Sequence, residues 1–267
     1  MKFNISLFLF LIISLFASAQ QISILKTIEI PAIEHVANDS YHNIYIADEK
    51  ENVLKFSPEG EYLLTYSPSK QADISLIDAS NSLRIFLYNK DFQQITFLDR
   101  FLTVQNQFRF NEDIVGFARS ACPSSDNNVW VIDDIDFSLK KVDLQFGKIL
   151  TRSPLDLLSA KRELDVIYMK EYQFNVYVLL KNQGIMVFDN LGNYRKMIPI
   201  LDVDSFSFFE DELCYIKDGK LNFFHLYNFT NRELLLPQGV ELRKVIVSSK
   251  YLYLFSKTKL LLCQKDI

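Results

Sequence analysis

The sequence predicts an all-β protein, specifically a six-bladed β-propeller. Most of the chain after residue 20 consists of runs of four to seven residues rich in Ile, Val, Leu, Tyr and Phe, separated by clusters of Asn, Asp, Ser, Lys and Gly. Such short apolar runs between polar turns are typical of strands, and helical periodicity is almost absent. Only residues 155–163 (LDLLSAKRE), which follow Ser153 and Pro154, have the composition of a short helix.

A repeated core strand predicts the number of blades. Six related segments occur along the chain, and their first apolar residues are spaced 39, 46, 47, 37 and 39 positions apart. The mean spacing, near 42, is the length of one four-stranded propeller blade. These first apolar residues are Ile44, Leu83, Val129, Val176, Leu213 and Leu252.

A second strand follows each core strand after a short polar turn. In three units this second strand leads into a turn that contains a glycine, and these glycines are Gly60, Gly147 and Gly192. A tight hairpin turn needs a residue with positive φ, which glycine adopts without a steric cost. The three glycines are therefore predicted to close hairpins at equivalent places in three blades.

The two ends of the chain are predicted to meet in one blade. The last unit ends at Ile267 after its second or third strand, whereas the segment Ile22 to Ile30 precedes the first core strand. An unpaired sheet edge invites aggregation, so the N-terminal strand is expected to complete the last blade and close the ring. A seven-bladed ring and a pair of β-sandwiches are the competing folds.

One unit resembles a known repeat. Asn43 to Leu63 contains IYIAD followed by NVLKFSPEGEYL, and the segment from Val187 to Tyr194 is similar. This pattern resembles the NHL-type blade of six-bladed propellers, in which a strand ending in Ala-Asp precedes a strand ending Phe-x-x-x-Gly. The NHL-like group includes lactonases, lyases, ligand sensors and protein-binding scaffolds, so the resemblance implies an architecture and no single activity.

The first nineteen residues have the pattern of a signal peptide. Lys2 precedes an apolar run from Ile5 to Phe16, and Ala17 to Ala19 form a small-x-small cleavage site. The predicted domains are a signal peptide over residues 1–19 and one propeller over residues 20–267. We expect export to the periplasm or the cell surface, without direct membrane insertion, because the run is too short for a comfortable span.

Composition argues against several classes of function. Removing residues 1–19 leaves 28 basic and 33 acidic residues without a basic cluster, so nucleic acid is not an expected partner. The seven glycines are too widely spaced for a dinucleotide fingerprint or a P-loop. No CxxC, HExxH or GxSxG motif is present. Three cysteines are expected to remain free, with Cys214 and Cys263 as the one pair worth testing.

An acidic turn gives the sharpest candidate for chemistry. Asp133, Asp134 and Asp136 follow the third core strand, and Asp48 and Asp91 occupy the equivalent turns of the first two units. Oxygen ligands at alternating positions can bind Ca²⁺, so the alternative hypothesis is a propeller hydrolase or lyase with calcium in its channel. A solvated turn without a metal is the competing and favoured interpretation.

Aromatic density favours a different function. Phe206, Phe208 and Phe209 precede the turn at Lys217, and a strand places Phe206 and Phe208 on one face and Phe209 on the other. Together with Lys217 they form the candidate partner-binding segment. One face of the strand is expected in the core, and for the other face packing against the next blade is favoured over an open surface for a partner. The leading hypothesis is an exported, non-enzymatic scaffold without a cofactor that binds another protein, as in a subunit of a bacterial periplasmic or outer-membrane complex.

Overall fold

The computed structural model describes residues 22–69, 73–158 and 163–265. These residues form six sheets, each with four antiparallel strands, and they contain no helix. The prediction of an all-β, six-bladed propeller is therefore confirmed. The predicted signal peptide, residues 1–19, lies outside the described residues.

The first three blades follow one another along the chain, and each runs from the central channel outward. Blade 1 contains β2 (Ile33–Asn38), β3 (Ile44–Asp48), β4 (Val53–Phe56) and β5 (Tyr62–Tyr66). Blade 2 contains β6 (Leu76–Asp78), β7 (Ile85–Asn89), β8 (Gln94–Leu98) and β9 (Val104–Arg109). Blade 3 contains β10 (Ala118–Pro123), β11 (Val129–Asp133), β12 (Ser138–Asp143) and β13 (Lys148–Pro154).

The next two blades repeat this arrangement, and the sixth blade takes its outermost strand from the N-terminal segment. Blade 4 contains β14 (Val166–Tyr172), β15 (Asn175–Leu180), β16 (Gly184–Asp189) and β17 (Tyr194–Ile198). Blade 5 contains β18 (Ser207–Phe209), β19 (Glu212–Lys217), β20 (Lys220–His225) and β21 (Asn231–Leu235). Blade 6 contains β22 (Lys244–Val247), β23 (Tyr251–Phe255), β24 (Lys259–Gln264) and β1 (Ile24–Glu29).

The ring closes as the sequence predicts. Strand β1 pairs antiparallel with β24, with Ile28 opposite Leu260 and Glu29 opposite Lys259. An ion pair of 3.0 Å between the side chains of Lys259 and Glu29 lies in the same register. Because β1 covers the outer edge of β24, the backbone groups of that edge are paired instead of being exposed.

The core lies between the blades. The middle strands carry large apolar side chains on both faces because each sheet is covered by a blade on either side, and Tyr45, Trp130 and Tyr253 are fully buried. The outermost strands are mostly exposed, as in β9, where one residue of six is half-buried and the others are exposed. This pattern explains the strongly apolar core strands that are visible in the sequence.

The predicted glycine turns have the expected backbone. Gly60, Gly147 and Gly192 have φ angles of 74°, 58° and 81°. The predicted start of the second core strand was wrong, because β7 begins at Ile85 and Leu83 lies in the preceding turn. There Asn81 Oδ1 accepts a hydrogen bond from the Leu83 backbone N–H at 3.0 Å, which holds the segment in a turn.

The segment predicted as a short helix is described only in part. Residues 155–158 form a turn in which the Leu158 N–H donates to the Leu155 carbonyl oxygen at 2.8 Å, and residues 159–162 lie outside the described residues. Across the described ranges, no helix has the length and apolar character needed to cross a bilayer.

Candidate functional site

A cavity of about 690 Å³ occupies the centre of the ring. Its walls come from the innermost strands of blades 1, 4, 5 and 6, with Ile77 and Ser80 contributed by blade 2. A second cavity of about 490 Å³ shares Glu34, His35 and Ile167 with the first. The two cavities are therefore consecutive parts of one axial channel, and we call the larger one the central cavity.

One side of the central cavity is aromatic. The rings of Tyr172 and Phe208 stack with their centroids 4.2 Å apart and an interplanar angle of 3°. Tyr168 and Phe206 meet edge to face at 5.0 Å. These four residues belong to blades 4 and 5, so this wall offers an apolar surface to anything that enters the cavity.

The opposite side carries titratable groups from blades 6 and 1. His35 and Lys244 line the cavity, and burial together with the nearby Lys244 charge lowers the pKa of His35 to about 3. Burial also lowers the pKa of Lys244, while Asp204 and Glu34 act in the opposite direction. The imidazole is consequently neutral at physiological pH, and Lys244 is one of the cationic residues of this wall.

In the predicted calcium turn, the carboxylates form ion pairs with lysine and arginine side chains. Lys140 Nζ donates to Asp133 Oδ2 at 2.7 Å and to Asp136 Oδ2 at 2.9 Å, and it reaches the Ile114 carbonyl oxygen at 2.7 Å. Arg152 Nε donates to Asp136 Oδ2 at 2.8 Å. Asp133 also accepts from three backbone N–H groups, so its oxygens hold the turn together. Calcium binding at this turn stays a prediction of the sequence.

The other carboxylates of that prediction have separate partners. Asp134 pairs with Arg119. Asp48 lies in blade 1, where its Oδ1 accepts from the Lys50 N–H at 2.8 Å and from the Asn52 N–H at 2.9 Å. Within the described ranges, no group of three or more His, Cys, Asp or Glu side chains is arranged to hold a metal ion.

The predicted partner-binding segment lies at the channel wall. Phe206 is buried, and Phe208 packs beside it against Tyr177 of blade 4. Phe209 is half-buried on the other side, against the cluster shared with blade 6. Lys217 lies at the end of β19, 3.9 Å from the Asp202 carboxylate. Direct contact of Phe206, Phe208, Phe209 and Lys217 with a partner stays a prediction.

Exposed apolar side chains are concentrated at one end of the propeller. This end is formed by the turns between the first and second strands and between the third and fourth strands of the blades, and we call it the apolar end. Within the described residues, its turns carry eight large apolar side chains that are at least 56% exposed. They are Tyr41, Leu83, Phe101, Phe146, Phe174, Leu191, Tyr227 and Phe229.

The opposite end is less apolar. Its turns between the second and third strands and its connections between blades expose four large apolar side chains in the described part of the chain. They are Phe92, Ile135, Leu157 and Leu201. The two ends therefore differ in the surface that they offer to another molecule.

A recurring turn holds the apolar side chains outward. In three turns an Asp Oδ1 accepts from the backbone N–H two residues later, at 2.9 Å for Tyr41, 2.8 Å for Phe101 and 2.9 Å for Leu191. In each turn the next residue has positive φ, with values of 64°, 61° and 81°. This is an Asx turn, in which the side chain replaces a backbone acceptor and fixes the loop.

Two further turns form the same type of hydrogen bond with another acceptor. Asn81 accepts from Leu83, and His225 Nδ1 accepts from the Tyr227 N–H at 3.3 Å. The pattern of a turn-forming polar residue, any residue and then an exposed apolar residue is readable in the sequence. This pattern identifies exposed apolar residues that local aromatic density does not.

Blades 4 and 5 bring three of these side chains to one place. Tyr227 Oη donates to Gln173 Oε1 at 2.7 Å, which places the Tyr227 turn of blade 5 beside Phe174 of blade 4. Phe229 follows in the same turn, with Lys196 Nζ 4.2 Å from its ring centroid. We call Phe174, Tyr227 and Phe229 the aromatic patch. The exposed carboxylates of Glu210 and Asp211 lie in the adjacent turn.

Comparison with known proteins shows the fold and no closer relationship. No family model and no curated protein matches the chain. Among solved structures, the Pan2 WD40 domain of Neurospora crassa is 10% identical with a TM-score of 0.64, covering 93% of this chain and 97% of that one.

Two bacterial structures are similar with lower TM-scores. Virginiamycin B lyase from Staphylococcus aureus is 8% identical with a TM-score of 0.59, over 90% of this chain and 98% of that one. BamB from Moraxella catarrhalis is 9% identical with a TM-score of 0.53, over 92% and 98%. The class of protein is thus a six-bladed β-propeller, and its function has to be argued from its own surface.

Proposed function

We propose that this chain is an exported, non-enzymatic scaffold that binds another protein through the apolar end, centred on the aromatic patch. The observation that carries the proposal is the concentration of eight exposed apolar side chains at that end. Aromatic residues are enriched at protein interfaces because they bury a large area at a low cost in conformational entropy.

Rigid presentation supports a binding role. The Asx turns fix Tyr41, Phe101 and Leu191 in the free protein, so little conformational entropy is lost when a partner covers them. The pairing of Tyr227 with Gln173 fixes the patch across two blades in the same way. A preorganised apolar surface of this kind suits a folded partner.

The charges beside the patch indicate the chemistry of the partner. Glu210 and Asp211 are exposed in the turn between the first two strands of blade 5. Complementary charge accelerates association and selects among partners. The proposed partner therefore has an apolar surface bordered by lysine or arginine.

Co-purification with matched variants tests this proposal. The aromatic-patch variant combines Phe174→Ser, Tyr227→Ser and Phe229→Ser, and the control variant combines Phe92→Ser, Ile135→Ser and Leu157→Ser at the opposite end. All six residues are exposed, so both variants should fold. We expect one protein to co-purify from the native cell with the parent and the control, and to be lost with the patch variant.

Two outcomes contradict the proposal. One is the absence of any enriched protein with the parent chain, and the other is equal recovery with all three chains. Static light scattering of the purified parent separates a second copy of this chain from a different partner.

We propose in addition that the chain is exported and that its blades are of the NHL type. Cleavage after Ala19 predicts a mature chain that begins at Gln20. Cell fractionation followed by N-terminal sequencing checks both the compartment and the cleavage site. Recovery of the chain in the cytosol with residues 1–19 attached would contradict export.

A further inference from the structure

Lys244 is a cation that lines the central cavity. The residue is half-buried at the start of β22 and takes part in none of the ion pairs found among residues 22–69, 73–158 and 163–265. Two other cations at the cavity form direct ion pairs, Lys170 with Asp78 at 2.6 Å and Arg243 with Glu241 at 2.8 Å. A half-buried ammonium without a carboxylate in direct contact is only partly compensated, so an anion entering the cavity would gain binding free energy there.

A polar group near Lys244 is suited to the same ligand. His35 also lines the cavity, and the charge of Lys244 acts on its imidazole. The imidazole is neutral, so its ring can donate one hydrogen bond from a nitrogen. An oxygen of a ligand beside Lys244 would accept that hydrogen bond.

The aromatic wall adds an apolar requirement. Tyr168, Tyr172, Phe206 and Phe208 line the same cavity as Lys244. A cavity of about 690 Å³ lies in the range of roughly 300–1,000 Å³ that is usual for small-ligand sites. A ligand that filled it would therefore need an apolar or aromatic body in addition to its charge.

The flanking acids limit the charge of the ligand. Asp204 and Glu34 both act electrostatically on Lys244. They repel a dianion such as a phosphate monoester more strongly than a monoanion, and one ammonium matches one carboxylate. We propose that the central cavity binds a monoanionic carboxylate with an apolar or aromatic body, whose oxygens contact Lys244 and His35. The source is either the C-terminal residue of a polypeptide or a free carboxylic acid.

Matched acids and amides test the site by calorimetry on the purified mature chain. The polypeptide arm uses an acetylated hexapeptide that ends in phenylalanine, either with a free C-terminus or with an amide. The free-acid arm uses 3-phenylpropanoate and 3-phenylpropanamide. A charge-assisted contact is worth enough that the acid should bind at least about tenfold more tightly than its amide in one arm.

The variants assign the effect to the lysine. We expect Lys244→Met to remove the preference for the acid, and Lys250→Met, which changes an exposed lysine outside the cavity, to keep it. Binding of the peptide acid alone identifies a chain terminus as the source, and binding of 3-phenylpropanoate alone identifies a free acid; both results support the site.

Three results overturn the proposal. They are equal binding of acid and amide, no binding of any of the four probes, and an unchanged preference for the acid in folded Lys244→Met. If Lys244→Met does not fold, the comparison of acid and amide on the parent chain decides the question.

Discussion

Lys170 of blade 4 and Asp78 of blade 2 form an ion pair of 2.6 Å although 92 positions separate them along the chain. Lys170 Nζ also donates to the Ser80 hydroxyl at 2.8 Å. Burial alone would raise the pKa of Asp78, but the charge and hydrogen bond of Lys170 lower it overall. The pair therefore ties two inner strands that are not consecutive and fixes the channel between them.

Replacing Lys170 should destabilise the protein strongly. Lys170→Met leaves the Asp78 carboxylate buried without its cation, and breaking such a pair from one side costs about 3 kcal/mol or more. Urea unfolding gives the free energy of unfolding. Lys181→Met, which changes an exposed lysine of the same blade, is the control and should match the parent. Equal unfolding of Lys170→Met and the parent would show that the pair is not structural.

The same pair predicts how stability depends on pH. The folded-state pKa of Asp78 is lowered, so its contribution is present above the unfolded value of about 3.9 and is lost as the pH falls through the folded value. Burial opposes the shift, but Asp78 raises the pKa of Lys170 overall. The contribution of Lys170 to stability is therefore present below the unfolded value of about 10.4 and is lost as the pH rises through the folded value.

The pH prediction is checked against the double variant Asp78→Leu, Lys170→Met. The parent should lose more free energy of unfolding between pH 6 and pH 2 than the double variant, because only the parent has this carboxylate to protonate. Parallel pH profiles for the two proteins would contradict the assignment.

The fold was predictable from the sequence because the middle strands form apolar runs at a regular spacing. Strands such as β11 are buried on both faces and read as continuous apolar runs at a regular spacing. Several innermost strands have weaker patterns, since β6 and β18 contain three residues each and six of the seven residues of β14 are half-buried. The central cavity is built from those inner strands, so the spacing of the apolar runs did not predict it. The ion pair between Lys170 and Asp78 forms only in the closed ring, so the spacing did not predict that pair either.

The exposed apolar surface was harder to predict for a different reason. The dense aromatic run from Phe206 to Phe209 was a candidate both for a binding segment and for packing between blades, and in the structure Phe206 and Phe209 pack into apolar clusters. The side chains that are exposed occur singly in turns, as Phe101 does two residues after Asp99. An isolated aromatic residue in an Asx turn is therefore a better sequence signal of an exposed surface here than local aromatic density.

Gly184 should tolerate no side chain. Its φ is +107°, and a Cβ built there would lie 2.5 Å from the backbone oxygen of Ile198. Gly184→Ala is expected to cost about 2 kcal/mol or more, because both the φ angle and the contact are unfavourable. Gly219→Ala is the control, since φ is +70° and nothing lies within 4 Å; it should cost about 1 kcal/mol. Equal free energies of unfolding in urea for the two variants would contradict an unfavourable contact with the Ile198 oxygen.

Strand β1 should be required for cooperative folding. Deleting residues 22–30 removes the strand that covers the edge of β24 and leaves that edge exposed. We expect a broad unfolding transition and a tendency to aggregate, measured by circular dichroism and light scattering. A deletion variant that unfolds like the full mature chain would contradict ring closure as a source of stability.

Photo-cross-linking in the native cell is the most direct test that the apolar end binds a partner. A photoreactive phenylalanine analogue is placed singly at Phe101, Phe174 or Tyr227, and at Ile135 or Leu157 of the opposite end. All five positions are exposed, so the reactive groups reach solvent equally well. We expect adducts with one protein from the first three positions and none from the other two. Adducts from Ile135 and Leu157 alone, or no adduct from any position, would contradict it.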